Sequence, residues 1–387
     1  MLPFVLSLLH TANDMFGAFL TPLLPRLQAN FGVSYAAVSL LVAVYSFTSS
    51  LLQPLAGLIA DRYDRRLLAA LGPLLVAVGS GLMGFYPNPV IMAVVLGVAG
   101  LGSALFHAAG AALVGQYAPA GRKGFWLSFF GSSGQLGLSL GPIVSIGVVS
   151  TAGLRGLAWV IPAVVLPALL LFIAPAIRVS GKPSGFRDLA RVFRGEVAKL
   201  WGISTFKAVA FISFATTIPF WFTQRGMGDA QIALALTTYN FSAAAGAFLG
   251  GTISDRLGRK AVIAGTMLVG IPLYASLLAV PPEAFGVYLV LLALSGAMMN
   301  ASIPVTVVMA QEHEPQQIAT VSGLLMGFTW GFAGLLYGAV GPLIERFGVV
   351  PTLASLGLLL LPALQLALRL KEPRRELEPP VRVQAAK

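Results

Sequence analysis

Apolar residues run through this chain in blocks long enough to cross a bilayer, about 20 residues each. Polar clusters separate them at near-regular intervals. The blocks fall near 3–27, 36–60, 67–86, 89–117, 123–150 and 155–176. A polar stretch occupies 177–199, and six more blocks follow at 200–223, 230–254, 260–281, 284–311, 317–344 and 349–370. Most separating loops are short, which predicts antiparallel neighbours. The pattern therefore predicts an all-α membrane protein of twelve transmembrane helices in two pseudo-symmetric six-helix halves, residues 1–176 and 200–371. A cytoplasmic linker over 177–199 joins them, and a disordered tail is expected over 372–387. Around the linker, Phe186, Leu189, Ala190, Phe193, Val197 and Leu200 recur at helical spacing, with Arg187, Arg191, Arg194 and Lys199 on other faces. That predicts an amphipathic helix lying along the membrane interface. The first block lacks a basic leader and a small-residue cleavage site, so it is expected to be a retained span.

The halves repeat each other. GLIADRYDRR from Gly57 returns as GTISDRLGRK from Gly251, an offset of 194 residues, each at the end of its half's second block. GSSGQLGLSLGP from Gly131 is echoed by GFAGLLYGAVGP from Gly331, in blocks five and eleven. Two repeated six-helix halves suit alternating access around a midplane site.

Composition agrees with the pattern: 57% of residues are hydrophobic and 10% charged, against about 25% charged in soluble domains. The absence of Cys removes disulfides, thiolate metal sites and thiol catalysis. A net charge of +11 would suit an acidic partner, but its distribution says otherwise. Of 25 Lys and Arg, 20 lie on the side that carries the linker and the C-terminus. Arg26, Arg155, Arg225 and Arg346 lie on the other side, and Lys207 falls inside a block. The positive-inside rule makes the first side, with both termini, cytoplasmic. The charge is a topology signal with some attraction to anionic lipid, and nucleic acid is not an expected partner.

The repeated Gly-x-x-x-Asp-Arg-x-x-Arg loop is the most specific motif. Its members are Gly57, Asp61, Arg62 and Arg65 in the first copy, and Gly251, Asp255, Arg256 and Arg259 in the second. Glycine admits close helix approach, and acid–cation pairs at a helix end can latch two halves and release them. Block five carries Gly137, Gly141 and Pro142, where small residues predict tight packing against the partner half.

The paired loop motif resembles the signature of the major facilitator superfamily, over essentially the whole chain. That resemblance implies a loop that stabilises the outward-facing state. The Gly137–Pro142 run is similar to the motif of drug/proton antiporters within that superfamily. HTANDMF, SSLLQPLAG, GSALFHAAG, VMAQEHEP and VSGLLMGFTWGFAGL together resemble the fosmidomycin-resistance type of exporter. The resemblance implies a bacterial inner-membrane drug exporter driven by proton exchange. Where that type often has Pro-Glu after Phe-His, this chain has Ala108–Ala109 after Phe106–His107.

Of 14 acids, Asp14 alone lies deep in a block. Deep cations are Lys207 and, when protonated, His107, while His10 is expected nearer the cytoplasmic end. Intramembrane ionisable groups are functional by default, so Asp14, His107 and Lys207 are the candidate proton-coupling residues. The repeat offset carries Asp14 to within one residue of Lys207, which predicts that they face each other across the cavity. A buried lysine also favours an anionic, phosphonate-like substrate. Candidate cavity residues are Asn13, Tyr45, Gln53, Phe106, Gln135, Tyr239, Asn240, Asn300 and Trp330.

The expected function is proton-coupled export of small drug-like or anionic compounds by a monomer, using the proton gradient and no cofactor or metal. An uptake symporter or facilitator is the alternative on the same fold. A membrane enzyme is disfavoured, since no convergent nucleophile and base is evident. The charge asymmetry makes the topology testable. A fluorescent reporter that matures only in the cytoplasm should fluoresce when fused after Lys387, and should stay dark when inserted beside Arg225. The reverse result would overturn the orientation.

Overall fold

The computed structural model describes residues 1–60, 62–119, 122–173 and 193–372, which are almost wholly helical, with no strand among them. The expected linker helix and tail lie outside the described residues, except for 193–199 and Glu372. Block seven extends further back than its hydrophobicity indicates, to Gly195.

Helical segments follow one another as twelve spans. Span one is Leu2–Gly17 and Leu20–Phe31; span two is Tyr35–Ser46, Phe47–Leu51 and Gln53–Ala60; span three is Arg65–Gly81. Spans four to six are Pro89–Tyr117, Lys123–Ala152 and Leu154–Ile173. Spans seven to nine are Gly195–Gln224, Asp229–Leu257 and Arg259–Ala279. Spans ten to twelve are Phe285–His313, Thr320–Phe347 and Val349–Leu368. Spans four to twelve are each long and apolar enough to cross a membrane on their own.

Spans one and two are interrupted for an identifiable reason. Proline lacks an N–H and its ring collides with the carbonyl four residues earlier. Pro22 cannot bond the Ala18 carbonyl and crowds it, and the break falls at Ala18–Phe19, whereas Pro25 is carried inside continuous helix. Pro54 meets Ser50 in the same way, and span two widens into a π-helical turn over Phe47–Leu51. Span eleven carries a second π turn, Gly323–Phe328.

The internal repeat is visible in the turns. Gly32 and Gly226 both adopt left-handed φ, +63° and +71°, at connections offset by the same 194 residues as the loop motif.

In hydrocarbon, helix association rests on close van der Waals packing, so small residues mark the interfaces. A Cβ added at Gly250 in span eight would lie 2.6 Å from the carbonyl carbon of Ala301 in span ten. By contrast, Gly57 has nothing within 4 Å of that position, and Gly251 has only Pro304 at 3.9 Å. The expected close approach at the two loop-motif glycines is thus absent in this conformation; the crowded glycine of the second copy lies one residue earlier.

The halves meet along spans two and eleven, and along spans five and eight. Gly331 and Gly341 of span eleven press on Leu51 and Ala36 of span two, with Cα atoms 2.7 and 2.8 Å from an added Cβ. One end is sealed. There Arg26 pairs with Asp229, and Glu345 Oε1 accepts from the Ala36 N–H at 2.9 Å. Tyr35 bonds Tyr337 through their hydroxyls at 2.6 Å and meets Phe220 edge-on at 3.9 Å. At the opposite end, the described ion pairs Asp64–Arg66 and Arg259 with Asp255 and Glu312 each stay within one half.

Overpacking a close contact costs about 1–3 kcal/mol. Gly250→Leu should therefore lower the melting temperature of the detergent-solubilised protein by several degrees. Gly57→Ala, open on its Cβ side, should leave it unchanged or slightly raised.

Candidate functional site

Span one places His10 and Asp14 four residues apart, hence on one helix face. Span four presents His107 to the same point. His10 Nε2 lies 3.3 Å from Asp14 Oδ2, and His107 Nε2 lies 3.4 Å from Asp14 Oδ1. The two imidazoles face each other through Nε2 at 3.2 Å. Each ring's other nitrogen is tied to backbone: His10 Nδ1 to the Phe130 carbonyl at 2.7 Å, and His107 Nδ1 to the Ser103 carbonyl at 2.8 Å. Asn13 donates through Nδ2 to Asp14 Oδ1 and to Ser103 Oγ, at 2.9 and 3.0 Å. Its fully buried Oδ1 has no partner among the described residues. Phe106 and Phe130 pack on the His10 ring, with centroids 5.6 and 4.2 Å away. His107 is the most exposed of the three charge-bearing side chains, at 29%.

Span five closes the other flank with a stripe of glycines. An added Cβ at Gly134 would lie 2.6 Å from Asp14 Oδ2 and closer still to His10 Nε2. Gly137 faces the Thr11 carbonyl and the Met15 N–H, and Gly141 faces Ala18 and Met15. The expected packing of Gly137 and Gly141 against the partner half is therefore corrected. They face span one of their own half, because the stripe lies on one helix face. A different face of span five meets the partner half, where Thr237 and Asn240 donate to the Ser139 and Leu138 carbonyls at 2.8 and 3.2 Å. Span five runs unbroken through Pro142.

Lys207 belongs to a separate cluster. Its ammonium donates to Ser302 Oγ, and the residue is only 5% exposed. With Ser204, Asn300, Thr306, Phe211 and Trp330 it lines a small cavity of about 20 Å³. No described ion pair joins Lys207 to a carboxylate. The repeat offset placed Asp14 and Lys207 across the cavity from each other; at contact distance Asp14 meets His10 and His107, and Lys207 meets Ser302. His10, expected nearer the span end, sits inside the cluster.

The remaining candidates divide. Asn300 and Trp330 line the concavity beside Lys207, with Asn300 Nδ2 held by the Gly296 carbonyl at 2.9 Å. Tyr45 lies against Gly17, its hydroxyl 2.5 Å from an added Cβ, and Gln53 lies against Gly327 of the other half. Gln135 is exposed on span five. Phe106 and Tyr239 are fully buried, the latter stacked on Phe211 at 4.8 Å, so neither forms a cavity wall here. Both are aromatic core residues that composition alone could not separate from cavity linings.

In the loop motif, Asp61 lies outside the described residues. Arg62 and Arg256 are exposed, and Arg65 is buried, donating through Nε to the Ala60 carbonyl at 3.1 Å. Asp64 caps span three and pairs with Arg66, whose hydrogen bonds hold the Asp64 carboxyl below its usual range. The stabilisation is present at neutral pH and fades as pH falls through that lowered value. In the second copy Arg259 bridges Asp255 at 2.6 Å and Glu312 at 3.0 Å. Sequence reasoning missed Glu312, Ser302, Ser103 and Gly134; only the spacing of His10 to Asp14 offered a readable signal.

A family model described as Major Facilitator Superfamily matches residues 6–338 and 200–385. The chain is 28% identical over 361 residues to the fosmidomycin resistance protein of Escherichia coli strain K12, covering 89% of this chain and 86% of that protein. It is also 28% identical over 382 residues to an MFS-type transporter, YfnC, of Bacillus subtilis strain 168, covering 92% and 89%. Among solved structures it resembles an inward-facing, unoccupied bacterial homologue of the human lysosomal transporter Spinster. The TM-score is 0.74 at 15% identity, over 95% of each chain.

Removing the partner of a buried group costs about 1–3 kcal/mol. Ser302→Ala, which strips the Lys207 ammonium of its described acceptor, should lower unfolding stability by that amount in a denaturant titration. Unchanged stability would show that solvent already serves the ammonium.

Proposed function

The chain belongs to the Major Facilitator Superfamily, and we propose that this multi-pass transporter exports small drug-like or anionic compounds by alternating access, energised by exchange for protons. The single observation that carries the substrate side is Lys207. A buried ammonium is costly unless a counter-charge meets it, and the described structure gives Lys207 only a neutral hydroxyl. It lies on the wall of a concavity that carries further hydroxyl and amide groups and two aromatic rings. An anionic headgroup there would supply the missing charge, while an apolar body would rest on Phe211 and Trp330. The resistance function in the Escherichia coli relative's name is consistent with an exporter of this kind.

With both termini cytoplasmic in an inner membrane, the end closed by Arg26–Asp229 and Tyr35–Tyr337 is periplasmic. On this reading the Lys207 cavity would load from the cytoplasm, as an exporter requires. Alternating access requires that seal to open while the Asp64 and Asp255 ends come together.

In everted vesicles energised with a pH gradient, export of an anionic phosphonate antibiotic should collapse on addition of a protonophore. Lys207→Ala should reduce that export at least about tenfold, the fold-change that 1.4 kcal/mol of lost binding produces. Lys207→Arg, which retains the charge, should keep part of it. Full export by Lys207→Ala would reject the anion site, and export indifferent to the protonophore would reject proton exchange.

A further inference from the structure

We propose that His10, Asp14 and His107 form a binding site for one first-row divalent cation of the zinc type. The proposal stands apart from the export reading, since it concerns a different cluster and a different ligand.

The argument begins with tautomers. A ring nitrogen facing a carbonyl oxygen must carry the hydrogen and donate it. His10 Nδ1 faces the Phe130 carbonyl at 2.7 Å, and His107 Nδ1 faces the Ser103 carbonyl at 2.8 Å. In the neutral rings both Nε2 atoms are then bare lone pairs. They point at each other across 3.2 Å, with a carboxylate oxygen 3.3 and 3.4 Å from each. Three electron-rich groups thus converge with no hydrogen between the two Nε2 atoms and the carboxylate, whose Oδ1 accepts only from Asn13 Nδ2. A single proton relieves two of the three at a time, whereas a metal ion relieves all three together.

The dimensions fit. A tetrahedral ion with bonds of ~2.0–2.1 Å holds its ligand atoms about 3.3 Å apart; the two nitrogens stand 3.2 Å apart, His10 Nε2 lies 3.3 Å from Asp14 Oδ2 and His107 Nε2 lies 3.4 Å from Asp14 Oδ1. The surroundings also fit. Metal-binding histidines almost always donate their second N–H to a carbonyl or carboxylate, which fixes the ring and raises its basicity; both rings here do so. Space is kept beside the ligands, because a methyl group at Gly134 would lie 2.6 Å from Asp14 Oδ2 and closer to His10 Nε2. Two imidazoles and one carboxylate suit zinc, cobalt or iron better than calcium or magnesium, which prefer oxygen ligands. His107 is 29% exposed, so a fourth position can face solvent or a transported molecule.

Co²⁺ is the probe, because a tetrahedral site gives it a strong visible absorption. The full chain in detergent, stripped with a chelator, should bind one Co²⁺ with that spectrum and release it to Zn²⁺. Asp14→Asn and His107→Gln should each weaken binding by ~10–100-fold or more, at least the loss that follows disruption of an outer-shell partner. Gly134→Ala should do the same with every ligand intact, by filling the space. His313→Gln, at the only other histidine, should leave binding unchanged. Absence of stoichiometric tetrahedral Co²⁺ in the wild-type protein overturns the proposal, as does binding that survives Asp14→Asn and Gly134→Ala in folded protein. Size-exclusion profiles establish folding. If a ligand variant aggregates, the wild-type spectrum and Gly134→Ala decide the matter.

Discussion

Everything in this molecule depends on how closely span five lies along span one. Hydrocarbon offers no partner to a backbone N–H or carbonyl, so each span must close its own hydrogen bonds. Helices are then drawn together by contact alone, and contact is closest where side chains are missing. Gly134, Gly137 and Gly141 provide that absence along one face, and span one settles against it with Thr11, Met15 and Ala18 at near-backbone distance. The same approach brings the Phe130 carbonyl to His10 and so orients the ring. With larger residues in the stripe, span one would stand off and the His10–Asp14 face would lose its fixed relation to span four.

A second constraint comes from proline. Pro22 and Pro54 each forbid a regular turn, and the chain answers with a break in span one and a widened turn in span two. The two π turns, in spans two and eleven, lie at the contact between the halves, where Gln53 meets Gly327 and Leu51 meets Gly331. π turns recur at functional sites because they leave helix backbone less regularly bonded. Here they sit in the two helices that carry the Tyr35–Tyr337 seal.

The sequence made the architecture legible because its signals are dense and redundant. The length of apolar blocks, the lysine and arginine asymmetry and the repeated loop all argue for the same helical plan. The site was legible only in part. Asp14, His107 and Lys207 stand out because charge is rare in spans; the structure buries Lys207 and leaves Asp14 and His107 partly exposed. Their partners were hidden. Ser302, Ser103 and Gly134 are ordinary small residues whose role comes from helix rotation, which no single-sequence pattern reports. The contacts of Asp14 and Lys207 were hidden for a related reason: an internal repeat relates backbone positions and is silent about which neighbour a side chain meets first.

The two halves divide their chemistry. A charge in a low-dielectric interior is settled by whatever lies within about 4 Å, since desolvation outweighs attraction from further away. Asp14 therefore takes the imidazole one turn before it and the imidazole on span four, and the first half closes its own account. Span seven places no acid beside Lys207, and Ser302 gives it a hydrogen bond without a charge. The repeat thus duplicated a scaffold and not a site. One half gathers two imidazoles and a carboxylate; the other holds a lysine with a neutral hydroxyl partner. Because each group is met within its own half, and not by a bridge between Asp14 and Lys207, no described ion pair deep in the membrane locks the two halves together. The ties between them are the glycine contacts of spans two and eleven, the bonds from Thr237 and Asn240 to span five, and the hydroxyl, backbone and surface-charge contacts at the sealed end, and exposed ion pairs are individually weak. A transporter that must exchange two conformations needs its strongest electrostatic interactions arranged in this way, inside each moving body and away from the surface along which the bodies part.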